Sequence, residues 1–401
     1  MIKTYKKLFS HQGTVLFTLA GLVARLPLPM MGIGIIMMIS QTQESYALAG
    51  AISACFVFTY AILSPQISRL VDSYGQGNVL PIFTLISVLG TGLMLFISWL
   101  QWHISLFFVA AVLMGFMPCI SAMIRARWTA IYKKNIQLQT AYSLETVLDE
   151  VTFIIGPPIA VALSVAFFPQ AGILIATILL SIGVFLLSIQ RKSEPTLEKN
   201  MDIISSEKNK SVIHYPLVKI LALIMVFMGI IVGTIDIFSV AFADLQGNPA
   251  TASIVLSAYA VSSCISGLVF GAVKLSSSLH RLLFVGGIAT FITTLPLAII
   301  ASVYSLSGVV FISGIFFAPM MIVTMSLIEK AVPEKQLTEG MTWLLAGLNI
   351  GVAIGAALTG QVVDYFGTNS GSWVAISASM LVMLTAFIGY RRGNSVKNIS
   401  I

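Results

Sequence analysis

The sequence predicts an all-α membrane protein with twelve transmembrane helices in two pseudo-symmetric six-helix bundles. Three observations lead to this fold class: an apolar composition, twelve long apolar runs, and a one-sided distribution of lysine and arginine. The chain has 401 residues, of which 57% are hydrophobic and 9% are charged. Soluble domains carry roughly 25% charged residues, so this chain has too little polar surface to face water and lipid is its expected solvent.

The apolar runs define the predicted spans. A transmembrane helix needs about 20 mostly apolar residues, and runs that exceed this length tilt or extend beyond the lipid. The predicted spans are 13–39, 46–68, 78–99, 103–126, 138–166, 171–190, 217–243, 250–273, 281–302, 305–328, 337–363 and 371–390.

The basic residues orient these spans. Of the 22 lysines and arginines, 21 fall on one side of this up-and-down threading. Cytoplasmic loops are enriched in these residues, so both termini are predicted to be cytoplasmic, in the inner membrane of a bacterium. The same enrichment accounts for the net charge of +7, so no nucleic-acid partner is expected. Arg25 is the exception, in the middle of the first span.

The chain is predicted to divide into two related halves. Residues 191–215 form the longest polar stretch and mix both charge signs, which indicates a solvated linker between bundles at 1–190 and 216–401. A shift of 199 residues places Gly115 on Gly314, Gln137-Leu138 on Gln336-Leu337, and Gly156 on Gly355. Parallel six-span repeats place the substrate between the halves near the bilayer midplane.

Arg25 and Asp236 are the first candidate functional residues. A cation in hydrocarbon is costly and marks a functional site by default. We expect Arg25 either to contact an anionic substrate or a proton-carrying carboxylate, or to form a fixed salt bridge. Asp236 lies well inside span 7, the counterpart of span 1, so the preferred partner of Arg25 is Asp236. That pair is either permanent or broken when Asp236 takes a proton.

A second charged group joins spans 4 and 5. Glu145 and Asp149 are four residues apart and share a helix face, and the turn near 134–135 brings Arg125 level with them. An Arg125–Glu145 or Arg125–Asp149 bridge is therefore predicted. With Arg127 and Glu150, these residues are interpreted as a charge latch at the inner end that opens and closes during transport. Direct binding of protons or substrate is the alternative.

Proline and glycine mark candidate flexing points. Pro27 and Pro29 lack a backbone N–H and are expected to break span 1 beside Arg25. Gly156 and Pro157 are expected to break span 5, and Gly351 and Gly355 occupy the matching part of span 11. Small residues also let helices approach closely, so helix packing is the alternative role of the glycines.

No phosphate loop, Ser/His/Asp set or HExxH motif is present, so no enzyme activity, cofactor or metal is expected. Cys55, Cys119 and Cys264 lie in apolar segments without metal-ligand spacing. The linker is too short for an ATPase domain, so we expect transport along an ion gradient or downhill. The predicted partners are a small-molecule substrate, protons and the lipid bilayer, and the protein is expected to be a monomer.

The six-plus-six arrangement resembles the major facilitator superfamily. The loop after span 2, Ser68-Arg-Leu-Val-Asp72-Ser-Tyr-Gly75-Gln76-Gly77, is similar to the family's G-x-x-x-D-R-x-G-R-K signature at Asp72 and Gly75, but it lacks the basic positions. Gly156-Pro157 resembles the core of the family's antiporter motif. The resemblance implies two bundles rocking around a central site, with Asp72 at a gate, and favours the drug and metabolite efflux branch.

The function predicted from these observations is proton-coupled export of a small organic molecule, and the cation at Arg25 favours a substrate with an acidic group. A proton-coupled nutrient importer is the transporter alternative. A membrane sensor without flux is the alternative from another class.

Overall fold

The computed structural model describes residues 2–43, 46–133, 135, 137–195, 211–247, 251–273 and 277–397. In the first half of the chain the α-helices are α1 (Ile2–Leu8), α2 (Thr14–Arg25), α3 (Pro27–Gln43), α4 (Tyr46–Tyr74), α5 (Gln76–Leu100), α6 (Ser105–Met114), α7 (Ile120–Tyr132), α8 (Gln137–Ala166) and α9 (Ala171–Ile189). In the second half they are α10 (Pro216–Leu245), α11 (Ala252–Ala272), α12 (Leu279–Thr294), α13 (Val303–Gly314), α14 (Phe317–Ala331), α15 (Leu337–Phe366) and α16 (Ser372–Lys397).

The predicted fold class is confirmed. Within the described ranges, eleven helical stretches are long and apolar enough to cross a membrane. The remaining predicted span, 103–126, consists of α6 and α7, which are separated by residues 115–119 and together extend to Tyr132. The structure therefore accounts for the twelve predicted spans with eleven long apolar stretches and one pair of shorter helices.

Span 1 divides into two helices at the predicted place, although Leu26 keeps helical backbone angles and its N–H still donates to the carbonyl oxygen of Leu22. Helix α2 ends at Arg25 and α3 begins at Pro27, with Leu26 between them. Proline suits the first position of a helix, where its missing N–H is not needed. Pro29 follows within the first turn of α3. Arg25 is thus the last residue of α2.

Span 5 does not break. Helix α8 runs without interruption through Pro157 and Pro158, so the predicted break at Gly156-Pro157 is wrong. A side chain at Gly156 would lie 2.9 Å from Pro29 Cγ and 3.4 Å from the carbonyl oxygen of Leu26. The glycine therefore lets α8 pack directly against the break in span 1.

The 199-residue relation extends over whole helices. Adding 199 to the bounds of α6 gives 304–313, against Val303–Gly314 for α13. Adding it to the bounds of α8 gives 336–365, against Leu337–Phe366 for α15. Gly115 follows the last residue of α6, and Gly314 is the last residue of α13. These two glycines, which the 199-residue shift aligns, therefore occupy equivalent positions in the two halves.

Glycines on α15 hold it against α10. A side chain at Gly351 would collide with the carbonyl oxygen of Val226, and one at Gly355 with that of Ile230. In return, Gly229 and Gly233 of α10 face the backbone of α15 at Leu348 and Val352. Backbones approach this closely only where both helices lack side chains, so close packing is the role that the structure gives to Gly351 and Gly355.

The two halves are joined on one side of the molecule, which we call the linker side. It carries both ends of the linker: Arg127 donates to Ser193 Oγ at 2.8 Å, and the amide of Val212 donates to Glu339 at 3.1 Å. Here Ser68 Oγ lies 2.7 Å from Thr342 Oγ1, and Lys133 forms an ion pair with Glu334.

On the opposite, far side, the hydrogen bonds among described residues stay within a half. Gln170 donates to Ser98 in the first half and Gln246 donates to Ala301 in the second. The structure is closed on the linker side.

Candidate functional site

A buried ion-pair network lies where α2, α7 and α8 meet. Glu145 and Asp149 project from one face of α8 because they are one helical turn apart. Arg25, at the end of α2, contacts both: one guanidinium nitrogen pairs with Glu145, and another donates to Asp149 Oδ1 at 2.9 Å. The same guanidinium donates to the carbonyl oxygen of Gly21 at 3.3 Å.

Asp149 is the centre of the network. Its second oxygen accepts from Arg125 of α7 at 2.8 Å, and Ser121 Oγ donates to the first at 2.6 Å. Glu145 is held separately, by the indole N–H of Trp128 at 2.8 Å. The network therefore fixes three helices of the first half to one another.

The four charges balance. Two guanidinium groups face two carboxylates, and Arg25, Arg125 and Glu145 are at most 4% exposed. Buried charges persist only when they are paired and hydrogen-bonded. The arrangement meets that requirement without a charge from the second half or from a ligand.

The network forms one wall of a small cavity of about 20 Å³, roughly the space of one water molecule. Arg25, Asp149, Ser121 and Thr152 give it a polar side. The remaining wall is apolar or aromatic, formed by Leu28, Tyr60, Met117, Pro118, Ile120 and Phe153. A mostly apolar lining with a few polar groups is typical of small-molecule sites, but in this conformation the cavity is too small to hold such a ligand.

The expected Arg25–Asp236 pair does not form, because α2 packs against α8 and two carboxylates of the first half take the guanidinium. Asp236 lies on an exposed face of α10 and makes no ion pair or hydrogen bond with the described part of the chain. It lies within electrostatic range of Tyr259 on α11, as does Glu150. Arg25 and Asp236 thus belong to different surroundings.

Of the two bridges predicted for Arg125, the one to Asp149 is present, and the interpretation as a charge latch stays a prediction. Arg125, Glu145 and Asp149 all belong to the first half and bind one another there, deep in the span. Arg127 lies apart from these acids: it donates to Gln76 at 2.7 Å and to the carbonyl oxygen of Leu187 at 2.9 Å. These residues brace one half and do not join the two.

Two of the predicted gate residues do join the halves. Asp72 accepts the backbone N–H groups of Thr338 and Glu339, at 3.2 and 2.9 Å, at the start of α15. Glu150 accepts from Ser263 Oγ at 2.6 Å and Cys264 Sγ at 3.2 Å on α11. Both carboxylates would lose these donors if the linker side opened.

Several site residues were not predicted. Trp128 and Ser121 orient the carboxylates, and neither differs in sequence from an ordinary packing residue. The Lys133–Glu334 pair was missed because it depends on two loops from different halves. The spacing within α8 was the one usable signal, and it identified the carboxylates but not their partner on α2.

Long apolar helices in this order and a repeat at 199 residues define a multi-pass membrane protein with two related halves. The family model of the Major Facilitator Superfamily matches residues 14–247 and 220–400. The chain belongs to this superfamily, and it is accordingly a multi-pass membrane transporter and not an enzyme.

Relatives and solved structures agree with this assignment. The chain is 22% identical over 348 residues to the "multi-drug resistance efflux pump PmrA homolog" of Lactococcus lactis, covering 82% of each chain. Its fold is similar to that of a bacterial homologue of the iron transporter ferroportin, with a TM-score of 0.75 and 15% identity over 94% of this chain and 98% of the other. It is also similar to the E. coli fucose:proton symporter FucP, with a TM-score of 0.70 and 13% identity over the same shares.

Proposed function

We propose that this transporter is a secondary carrier that exports a small organic molecule in exchange for protons, by alternating access between its two halves. The observation that carries this proposal is the pair of carboxylates at Glu150 and Asp236, which have no cation partner within the described ranges although they lie inside transmembrane helices. Intramembrane acids of this kind mark proton and substrate pathways.

Proton exchange suits Glu150 and Asp236 better than it suits the Arg25 network. A proton on Asp149 would leave two buried arginines without their shared counter-ion, at a cost of several kcal/mol. Glu150 accepts only from neutral groups, and Asp236 has no bonded partner, so each binds a proton without breaking an ion pair. We therefore assign proton coupling to Glu150 and Asp236, and bracing to Arg25.

The charge balance also changes the expected substrate. The argument for an acidic substrate rested on an unneutralised Arg25, and that guanidinium is already bound by two carboxylates. With the network neutral and Asp236 exposed, the spans facing the cavity carry no surplus positive charge. We propose a substrate that is neutral or cationic and largely apolar, which fits the aromatic and aliphatic wall around Tyr60 and Phe153.

The proposed direction of transport and the proposed location of the protein rest on further observations. The name of the Lactococcus relative supports export, and so does the Gly156-Pro157 sequence. The 21 basic residues on one side of the predicted threading support a cytoplasmic linker and cytoplasmic termini in a bacterial inner membrane. On that orientation the structure is closed to the cytoplasm, and the halves 1–190 and 216–401 are the two moving bundles. We propose that the protein acts as a monomer.

The decisive experiment uses proteoliposomes with an imposed pH gradient and three probes that differ in charge: ethidium, Nile red and fluorescein. We expect proton-driven movement of ethidium or Nile red and none of fluorescein. In the Asp236→Asn and Glu150→Gln variants, accumulation driven by the gradient should fall at least tenfold. Exchange of probe across the membrane without a gradient should persist, because it needs no proton cycle.

Asp364→Asn is the matched control, since Asp364 is an exposed carboxylate near the end of α15. It should transport like the unmodified protein. Full gradient-driven transport by the Asp236→Asn/Glu150→Gln double variant would end the coupling assignment. Proton-driven uptake in the opposite direction would make the protein an importer, and no flux of any probe or candidate solute would favour a sensor.

A further inference from the structure

The N-terminal residues 2–9, which we call the N-terminal strap, lie across the junction of the two halves. Tyr5 of α1 occupies the contact between α8 and α11. Its hydroxyl donates to the carbonyl oxygen of Leu268 on α11 at 2.8 Å and lies 3.1 Å from Ser143 Oγ on α8. One side chain outside the transmembrane helices thus contacts both halves at once.

The space for this hydroxyl is created by a glycine. A Cβ atom at Gly271 would lie 2.7 Å from Tyr5 Oη and would also collide with the side chain of Ser143. Ser143 itself donates to the carbonyl oxygen of Gly267 across the junction. Burial raises the pKa of the Tyr5 hydroxyl, so it remains protonated and able to donate at neutral pH.

The other end of the strap is anchored to the first half alone. Leu8 is fully buried, and its carbonyl oxygen accepts the hydroxyl of Tyr132 at 2.8 Å. The ring of Phe9 meets Trp128 edge-on, with centroids 6.1 Å apart. Trp128 is the residue that donates to Glu145, so the anchor continues directly into the Arg25 network.

We propose that residues 2–9 are a clasp that stabilises the linker-side-closed conformation, with Phe9 and Leu8 fixing the strap to α7 and Tyr5 reaching across to α11. The proposal rests on the alternating-access part of the proposed function. When α8 and α11 separate, the Tyr5 hydroxyl cannot stay within hydrogen-bond distance of both Ser143 and Leu268. The N-terminal strap therefore stabilises the closed conformation by the free energy of a hydrogen bond that only this conformation contains.

The test measures the distance between the halves by electron–electron resonance. Spin labels are placed at Ala130→Cys and Lys330→Cys, two exposed positions near the linker-side ends of α7 and α14, with the three native cysteines replaced. In the Tyr5→Phe variant the population with the longer distance should rise roughly two- to tenfold relative to the closed one, the range expected for one net hydrogen bond.

Tyr142→Phe is the matched control. It removes a buried tyrosine hydroxyl that lies 2.6 Å from Thr129 Oγ1 within the first half, so it should leave the distance distribution unchanged. Phe9→Ala, which detaches the anchor, should shift the distribution in the same direction as Tyr5→Phe.

Distributions for Tyr5→Phe and Phe9→Ala that match the unmodified protein would overturn the clasp. An equal shift in Tyr142→Phe would do the same, because it would show a general loosening. The measurement needs no substrate or proton gradient. The distance result therefore stands even if the transport assay fails. An unchanged distance would not affect the assignment of proton coupling to Glu150 and Asp236.

Discussion

At the scale of single residues, Arg25 shows how a cation in the middle of a span is accommodated. The guanidinium has five N–H donors in a fixed fork, and the structure supplies acceptors on Glu145, Asp149 and Gly21. Arg25, an isolated charge in the sequence, is therefore part of an ion-pair network with no net charge. Its main consequence is to fix α2 against α8 beside the cavity.

Asp149 is the residue on which this network depends. Asp149→Asn keeps the shape but removes the counter-ion shared by Arg25 and Arg125. Breaking a buried ion pair costs about 3–5 kcal/mol, so the variant should unfold at a clearly lower temperature in detergent. Asp364→Asn, an exposed change of the same chemistry, should melt like the parent. Equal melting of both variants would refute the bracing role.

The sequence predicted where this ion-pair network lies but not all of the residues that form it. The spacing of Glu145 and Asp149 and the turn near residue 135 were enough to predict a bridge from Arg125 to one of these two acids, and the structure contains the one to Asp149. The partner of Arg25 was predicted wrongly because periodicity describes a helix face and not its neighbour. Asp236 and Asp149 both lie inside spans, and the choice between them is made by the packing of α2 on α8.

At the scale of helices, proline had opposite effects in spans 1 and 5. Pro27 stands at the first position of α3, where a missing N–H costs little, and α2 ends two residues before it. Pro157 and Pro158 stand inside α8, which continues through them. Residue identity alone predicted a break in both places. The difference comes from packing, since Gly156 brings α8 onto the break in span 1 and holds the helix there.

Because glycines pack α15 closely against α10, alanine substitutions at two glycines of α15 are expected to have different effects on thermal stability. In Gly355→Ala the new Cβ would collide with the backbone of Ile230, and overpacking of this kind costs about 1–3 kcal/mol. In Gly360→Ala the new Cβ has no atom within 4 Å, and alanine favours a helix by up to about 1 kcal/mol. Thermal melting should fall in the first variant and stay level or rise in the second; a parallel change would refute close packing as the role of Gly355.

At the scale of the whole molecule, the sequence predicted the topology well because its signals are long. Apolar runs of about 20 residues, the 199-residue repeat and the one-sided lysines and arginines each sample many positions, so a single misleading residue has little effect. The closed linker side has no such signal. It is formed by individual contacts at helix ends, such as Lys133 with Glu334 and Asp72 of α4 with the start of α15, which depend on how the halves are placed.

These cross-half contacts should differ in strength. Lys133 and Glu334 are about half exposed, with side-chain exposures of 49% and 51%, and exposed ion pairs contribute about 0–1 kcal/mol. Asp72 accepts two backbone N–H groups at the N-terminus of a long helix, where those donors have no intrahelical partner and the helix dipole favours an anion. A buried hydrogen bond contributes about 0.5–1.5 kcal/mol net, so the two bonds to Asp72 are expected to stabilise the closure more than the exposed ion pair does.

Disulfide formation between Ser68→Cys and Thr342→Cys measures that closure, because the two parent hydroxyls are 2.7 Å apart across the junction. In this background Asp72→Ala should slow oxidative cross-linking at least tenfold, since the linker side would spend more time open. Lys133→Ala should change the rate less than about threefold, in line with a weak exposed pair. Equal effects of the two variants would contradict the ranking, and faster cross-linking in Asp72→Ala would show that Asp72 opposes closure.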